Sequence, residues 1–215
     1  MNYPEANEMR MEFKDKVARQ NCAIVLVDLQ NDFCHPKGAW AKFVADPDLS
    51  KRVEAIQSFL PEARSVNVPV LFLRTIYNKW TISAPIQERW EKLGTGPVCI
   101  EGSPGGDFHQ VLPQEKDRVV NKYRSSGFME TDLDLTLRAK EVQTLLLGGI
   151  GVWGGLFDTA RDAVAKNYHV FLLEDCIAGG KPRERSMLID LFRRYQGEVT
   201  TSREVVDEWK STRRA

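Results

Sequence analysis

The strongest constraint on the fold is an uninterrupted apolar run at residues 22–27 that ends on a carboxylate, Asp28. A run without polar alternation is typical of a strand buried on both faces of a parallel sheet. Similar short runs recur along the chain, and stretches with helical periodicity separate them. This alternation predicts right-handed βαβ units and therefore an α/β protein with a doubly wound parallel sheet. The predicted strands are 22–28, 68–74, 117–122, 144–149, 168–174 and 198–200.

Length and charge narrow the class of protein. The 215 residues fit one domain, predicted at 21–206, with an N-terminal extension at 1–20 and a C-terminal tail at 207–215. The 30 basic and 30 acidic residues balance, which argues against nucleic-acid binding. No apolar run approaches the roughly 20 residues of a membrane span, and the polar first nineteen residues do not resemble a signal peptide. We therefore expect a cytoplasmic protein with no membrane partner.

The cysteines and histidines form no metal-binding pattern. Four cysteines and three histidines are scattered, without a CxxC pair or a helical HxxxH pair. We expect no metal and no cofactor. Without a signal peptide, the four thiols are expected to be reduced.

Candidate site residues follow the predicted strands. Ligands of open α/β sheets bind at the carboxyl ends of strands, where Asp28, Arg74 and Lys122 end the first three. The fourth strand runs into a glycine-rich turn at 148–155 that leads into a helix. A carboxylate beside an ammonium can move protons, and N–H groups at a helix start can bind an oxyanion. The segment 77–113, with little periodicity and many glycines and prolines, is predicted to cover the site.

Three motifs together are more specific than any one. They are Asp-Leu-Gln-Asn-Asp-Phe at 28–33, Lys-Tyr-Arg-Ser-Ser-Gly-Phe at 122–128 and Thr-Ala-Arg-Asp-Ala at 159–163. In this order they resemble the isochorismatase-like hydrolase superfamily over residues 22–205. The resemblance implies a six-stranded, mostly parallel sheet in a three-layer α/β/α sandwich. It also implies a small-molecule substrate and a homo-oligomer, a dimer or tetramer.

The resemblance also assigns catalytic positions. Asp28 matches the aspartate and Lys122 the lysine of the family's Asp-Lys-Cys triad, but Gly155 stands where the cysteine belongs. The family's cis peptide, which helps to build the oxyanion site, maps to the bond between Ile150 and Gly151. Gly154 completes that turn.

Three explanations for Gly155 remain open. The first is natural divergence to hydrolysis without a cysteine nucleophile, with Asp28 as general acid/base beside Lys122. True isochorismatases resemble this: they carry glycine here and cleave a vinyl ether. The second is a cysteine amidohydrolase of the ureide, N-carbamoyl or amide type whose nucleophile has been replaced. The third is a non-catalytic descendant that binds a small ligand. Val152, Trp153 and Leu156 depart from the amidase pattern, which favours the first.

Further substrate-binding candidates come from the neighbourhood of the motifs. Arg74 and Arg124 are candidates for a substrate carboxylate, although structural ion pairs would explain them as well. Tyr77 and Trp80 would cover the site or anchor the loop by packing. No histidine occurs at 37–80, which disfavours a metal-dependent branch. The full set of predicted substrate contacts is Gln30, Phe33, Arg74, Tyr77, Trp80, Arg124 and Trp153.

Overall fold

A single six-stranded sheet organises the computed structural model, which describes residues 11–44, 46–151 and 154–212. The strand order is β3-β2-β1-β4-β5-β6, and every neighbouring pair is parallel. The predicted doubly wound sheet is therefore confirmed. The strands are β1 (Cys22–Val27), β2 (Val70–Thr75), β3 (Arg118–Lys122), β4 (Thr144–Ile150), β5 (His169–Ala178) and β6 (Glu198–Thr200).

Helices cover both faces of the sheet, as the predicted α/β/α sandwich requires. One face packs against α4 and α9, and the other packs against α6, α7 and α8. The helices of the described residues are α1 (Phe13–Lys16), α2 (Asn31–Cys34), α3 (Ala41–Val44), α4 (Leu49–Ser65), α5 (Ala84–Leu93), α6 (Leu133–Ala139), α7 (Gly155–Ala165), α8 (Pro182–Tyr195) and α9 (Ser202–Ser211).

The chain reverses its winding direction between β1 and β4, which are neighbours in the centre of the sheet. From β1 the strands proceed outward to β2 and β3, whereas from β4 they proceed the other way to β5 and β6. Ligands of open α/β sheets bind at such a switch point. Gly149 allows the close pairing here, because its φ is +122° and a Cβ would lie 2.2 Å from the backbone oxygen of Val27.

Both ends of the described chain pack against the core. The rings of Phe13 and Phe171 lie edge to face at 5.7 Å, and Val17 is buried. Trp209 stacks on Phe59 and donates a hydrogen bond of 2.7 Å to the backbone oxygen of Val17. A boundary at residue 206 therefore falls inside α9, which packs on α4. Residues 1–10 and 213–215 of the predicted extension and tail lie outside the described part of the chain.

The segment 77–113 contains a helix that its low periodicity did not reveal. Ala84–Leu93 forms α5, which ends at Gly94 in the left-handed conformation with φ +59°. Ile86 and Trp90, four residues apart, are its only buried side chains, so two apolar positions were too few to show the period. None of the helices in the described ranges is long and apolar enough to cross a membrane.

Candidate active site

The carboxyl ends of three adjacent strands bring Asp28, Thr75 and Lys122 together. Asp28 follows β1 directly, and its backbone N–H donates to the oxygen of Leu73 in β2 at 3.0 Å. Thr75 ends β2 and is paired in register with Lys122, which ends β3. Asp28 has a φ of +57°, a left-handed conformation that aspartate tolerates better than most residues. This conformation turns the chain out of the sheet at the site.

A closed triangle of polar contacts joins these three side chains. The Lys122 Nζ lies 3.0 Å from Asp28 Oδ2 and donates to Thr75 Oγ1 at 2.7 Å. The Thr75 hydroxyl in turn donates to Asp28 Oδ1 at 2.8 Å. Lys122 also donates to the backbone oxygen of Arg124 at 3.3 Å. All three ammonium hydrogens of Lys122 therefore have oxygen partners, although its side chain is almost fully buried.

Gln30 fixes the end of β2 rather than contacting the cavity. Its Oε1 accepts from the N–H of Thr75 at 2.8 Å, and its Nε2 donates to the oxygen of Thr75 at 2.8 Å. The same Nε2 donates to the oxygen of Gly106 at 2.9 Å. Because Gln30 is fully buried and its amide uses both ends on backbone groups, it positions Thr75 within the triangle.

Gly155, the first residue of α7, faces the Asp28–Lys122 pair. A Cβ on residue 155 would lie 2.4 Å from Asp28 Oδ2 and 3.3 Å from Lys122 Nζ. The position therefore points at both side chains, and the Asp28 carboxylate already fills the space next to it. The N–H groups in the first turn of a helix have no acceptor within the helix, so the start of a helix such as α7 can bind an anionic group.

A cavity of about 110 Å³ opens onto this triangle. Aromatic side chains from α2, the following loop, α3 and α5 form its walls, and the turn after β4 contributes backbone. Arg89 and Arg124 bring positive charge to the lining. Its residues are Asp28, Phe33, Trp40, Phe43, Val44, Thr75, Tyr77, Ile86, Arg89, Trp90, Val98, Lys122, Arg124, Ser125, Ile150, Gly151, Gly154, Gly155 and Gly179.

Tyr77 lines the cavity together with its anionic and cationic groups. Burial raises its pKa, and the Asp28 charge raises it further. The guanidinium groups of Arg89 and Arg124 act in the opposite direction. The Tyr77 ring packs edge to face on Trp90 at 5.4 Å, which connects the segment after β2 with α5.

None of the four cysteines lines the cavity. All four are unpaired and buried. Burial raises the pKa of the Cys22 and Cys34 thiols to about 12, and it raises those of Cys99 and Cys176 well above the ordinary value. Because the thiolate is the nucleophilic form, these cysteines are poor substitutes for a nucleophile at residue 155. In the described parts of the chain, no His, Cys, Asp and Glu side chains group as metal ligands.

The structure separates the predicted site residues into two groups. Those that line the cavity are Asp28, Phe33, Tyr77, Lys122, Arg124, Ile150, Gly151, Gly154 and Gly155. Arg74 lies outside it, where its Nε donates to Asn121 and its guanidinium lies 5.7 Å from the centre of the Phe108 ring. Trp80 is 83% exposed and does not line the cavity either. Trp153 lies outside the described residues.

The backbone of the turn also differs from the family expectation. Ile150 and Gly151 line the cavity, but no peptide bond between described residues is cis, the Ile150–Gly151 bond included. Gly151 donates to the oxygen of Ala178 at 3.2 Å, which attaches the turn to the end of β5.

Several site residues were not predicted from the sequence. Thr75 stands next to Arg74. Because successive side chains of a strand point to opposite faces, only one of these two residues could belong to the site. Arg89 lies on α5, a helix that was itself missed. The buried ion pair of Asp46 and Arg185 gave no local signal, since the residues are 139 positions apart. Asp46 also accepts from the N–H of Gly179 at 3.0 Å, which fixes one wall of the cavity.

Comparison with known proteins agrees with the fold. A family model described as the isochorismatase domain matches residues 22–204. The ureidoacrylate amidohydrolase RutB of Azorhizobium caulinodans is 30% identical over 178 residues, covering 74% of this chain and 77% of that protein. A cysteine hydrolase from Pseudomonas syringae pv. phaseolicola superposes with a TM-score of 0.82 at 27% identity, covering 91% and 95% of the two chains. N-carbamoylsarcosine amidase from Thermoplasma acidophilum gives a TM-score of 0.70 at 28% identity, covering 85% and 96%.

Proposed function

Because this chain belongs to the isochorismatase family of hydrolases, we propose that it hydrolyses a small polar metabolite with water as the nucleophile. Asp28 acts as general acid/base, and Lys122 holds its charge and shares its proton. No cysteine takes part. The cavity beside the triangle receives the substrate, and its small volume of about 110 Å³ supports a small metabolite rather than a polymer.

One observation carries this proposal: the Asp28 carboxylate fills the space that a side chain on residue 155 would need. A Cβ there would come within 2.4 Å of Asp28 Oδ2, well below any ordinary contact. The Asp28 carboxylate occupies the space that glycine leaves open, and it would have to turn aside for any side chain on residue 155. This supports a site that works without the family thiol, in preference to a cysteine site from which the thiol has been removed.

The Asp28–Lys122 pair holds one proton that can move over a contact of 3.0 Å. The Thr75 hydroxyl links the two groups, because it accepts from Lys122 Nζ and donates to Asp28 Oδ1. A proton that moves to Asp28 makes it a general acid, and its return makes Asp28 a general base. The pair can therefore serve both halves of a hydrolysis without an external buffer.

An enol ether is the leading substrate class. The pair delivers its proton to the terminal carbon of the double bond, which leaves an oxocarbenium ion. Water adds to that ion, and the proton it releases returns to the pair. The resulting hemiketal then breaks its carbon–oxygen bond to give a carbonyl compound and an alcohol. As the hemiketal collapses, the pair takes the proton of its hydroxyl group and gives one to the leaving oxygen, and the first-turn N–H groups of α7 stabilise the negative charge that develops on that leaving oxygen.

Carbon–nitrogen hydrolysis is the second candidate, and the similar proteins favour it. Two of them are named for cleaving ureidoacrylate and N-carbamoylsarcosine. Here Asp28 would take a proton from water, and the hydroxide would add to the carbonyl carbon. The carbonyl oxygen would face the α7 N–H groups, and the pair would return its proton to the leaving nitrogen.

A substrate panel tests the proposal. It contains enol ethers, ureides, N-carbamoyl amino acids and primary amides, each assayed with wild-type protein and with Asp28→Asn. We expect turnover of one class and a loss of at least about a hundredfold in kcat for Asp28→Asn, in the range of general acid–base contributions. Asp190→Asn, an exposed carboxylate on α8, is the matched control and should retain full activity.

The outcomes separate the alternatives. Turnover that survives in Asp28→Asn contradicts the role of Asp28. Turnover that appears only in Gly155→Cys indicates an amidohydrolase whose nucleophile is missing. A protein that binds ligands of the panel but turns over none of them, in either form, is a binding descendant of the family.

A further inference from the structure

A buried ion pair lies behind the cavity, outside the residues that line it. Asp46 precedes α4, and Arg185 belongs to α8. The Arg185 Nη1 donates to Asp46 Oδ2 in a short contact, and the Asp46 side chain is fully buried. Burying two charges is costly, and apolar residues of similar volume can often replace such a pair without a loss of stability. Stability alone is therefore a weak reason for this ion pair, and its other contacts become informative.

Asp46 connects the ion pair to the wall of the cavity. The same Oδ2 atom that accepts from Arg185 also accepts from the N–H of Gly179 at 3.0 Å. The other oxygen, Oδ1, accepts from the N–H of Asp48 at 3.0 Å, which holds the carboxylate in one orientation. Gly179 directly follows β5 and lines the cavity. The ion pair therefore orients a carboxylate that fixes the backbone of Gly179.

Gly179 in turn packs on the glycine turn after β4. A Cβ on Gly179 would lie 3.2 Å from the backbone nitrogen of Gly151, so the two glycines are in close contact. The φ of Gly179 is +103°, a conformation that glycine adopts without strain. The N–H of Gly151 also donates at 3.2 Å to the oxygen of Ala178, the residue before Gly179. The position of Gly151 therefore depends on that of Gly179.

The same turn sets the start of α7. The N–H of Gly154 donates to the oxygen of Gly151 at 3.1 Å, and the N–H of Asp158 donates to the oxygen of Gly154 at 2.9 Å. A Cβ on Gly151 would lie 3.7 Å from the backbone nitrogen of Gly155, so the first residue of α7 lies close to the turn. A continuous series of contacts therefore runs from the buried ion pair to the first N–H groups of α7.

We propose that Asp46 and Arg185 are positioning residues, which hold the glycine turn after β4 and the start of α7 in place for catalysis. The inference rests on the proposed hydrolysis, in which the first-turn N–H groups of α7 stabilise negative charge on the leaving oxygen. Such groups must be placed closely, because a misplacement of about 1 Å can cost about a hundredfold in rate. Neither Asp46 nor Arg185 lines the cavity, so both act through the backbone and not on the substrate.

Selective labelling tests the connection without requiring turnover. The chain has 15 glycines, so protein labelled with nitrogen-15 only at glycine gives a simple amide spectrum. Wild-type protein is compared with Asp46→Asn and with the double variant Asp46→Leu, Arg185→Met. The double variant leaves the net charge unchanged and replaces the ion pair by apolar side chains, so it should remain folded even if Asp46→Asn does not.

We expect the amide resonances along the series of contacts to shift together in the variants, because the backbone of the turn loses its anchor. These resonances are those of Gly179, Gly151, Gly154 and Gly155. The resonances of Gly96 and Gly102, where a Cβ would meet nothing within 4 Å, should stay in place. A shift confined to Gly179 overturns the proposal, because the ion pair would then support only its own loop.

Kinetics on the best substrate of the panel test the consequence for catalysis. The double variant and Arg185→Gln should lose at least about tenfold in kcat with a KM within about threefold of wild type, because the affected N–H groups act in the transition state. Arg185→Lys keeps a cation beside Asp46 and should recover most of the rate. The matched control is Arg193→Gln, which removes an exposed ion pair from the same helix and should behave like wild type. A wild-type kcat in the double variant overturns the proposal.

The proposed hydrolysis and the positioning role can fail separately. Joint shifts of the glycine resonances, in a protein that turns over no member of the panel, support the connection and contradict the hydrolysis. Turnover that Asp28→Asn abolishes and the double variant retains supports the hydrolysis and contradicts the positioning role.

Discussion

Replacing Gly155 by alanine tests how closely the site is built around glycine. The added Cβ would lie 2.4 Å from Asp28 Oδ2, whereas real Cβ contacts essentially never fall below 3.0 Å. The carboxylate oxygen must therefore retreat by about 0.6 Å, the difference between these two distances. Its contacts with Lys122 at 3.0 Å and Thr75 at 2.8 Å restrict that movement.

The cost can be estimated from the contact that is lost. A hydrogen bond to a charged group contributes about 1.5–3 kcal/mol. Alanine gains up to about 1 kcal/mol over glycine inside a helix, and less at a first helical residue. We therefore expect Gly155→Ala to lower the free energy of unfolding by about 1–2 kcal/mol, and the Tm by about 2–8 °C for a chain of this length.

Urea denaturation followed by circular dichroism measures this effect. Gly96→Ala is the matched control, because a Cβ on Gly96 would meet nothing within 4 Å and its φ is not positive. It should change the free energy of unfolding by less than about 0.5 kcal/mol. A Gly155→Ala protein that is as stable as Gly96→Ala would refute the packing argument, and with it the claim that the Asp28 carboxylate occupies the space that glycine leaves open.

Three further predictions concern the wall of the cavity and the thiols. Asp46→Asn should lower the free energy of unfolding by about 3 kcal/mol in urea denaturation, because the buried Arg185 loses its short contact and keeps only Asp48 at 4.0 Å. Asp190→Asn at an exposed pair should lower it by less than about 1 kcal/mol. Stability should fall as pH rises from about 9 towards 12, since the pKa of the Cys22 thiol is raised to about 12 and only the unfolded chain ionises. Between pH 8 and 10, the free energy of unfolding of Cys22→Ala should fall by about 1.4 kcal/mol less than that of wild type. Equal falls in the two proteins would contradict the raised pKa of Cys22. Gly155→Cys should react with one equivalent of iodoacetamide in the folded state and wild type with none, because a thiol at a helix start ionises more readily than a buried one; a reactive wild type would contradict this.

The sheet was predictable because its signal is local. The runs that became β1 and β4 are apolar without interruption, and burial on both faces of a parallel strand requires this. Asp28 and Lys122 could be placed at the edge of the sheet for the same reason, since Asp28 directly follows β1 and Lys122 ends β3. The helix α5 was missed because it buries only Ile86 and Trp90, so its pattern is too sparse to show a helical period.

Long-range pairing explains what the sequence did not reveal. Arg74 and Thr75 are neighbours, but alternation along β2 places only Thr75 in the triangle. Gln30 was predicted as a substrate contact, yet its side-chain amide hydrogen-bonds to both the backbone N–H and the backbone oxygen of Thr75. A sequence does not show which polar side chain the fold will use for its own backbone.

The central claim is hydrolysis by Asp28 without a thiol, and one comparison of rates tests it most directly. The kcat on the panel's best substrate is measured for wild-type protein before and after exhaustive iodoacetamide treatment, and for Asp28→Asn. The account predicts an unchanged rate after alkylation and a loss of at least about a hundredfold in Asp28→Asn. A rate that alkylation abolishes, or that Asp28→Asn retains, would contradict it.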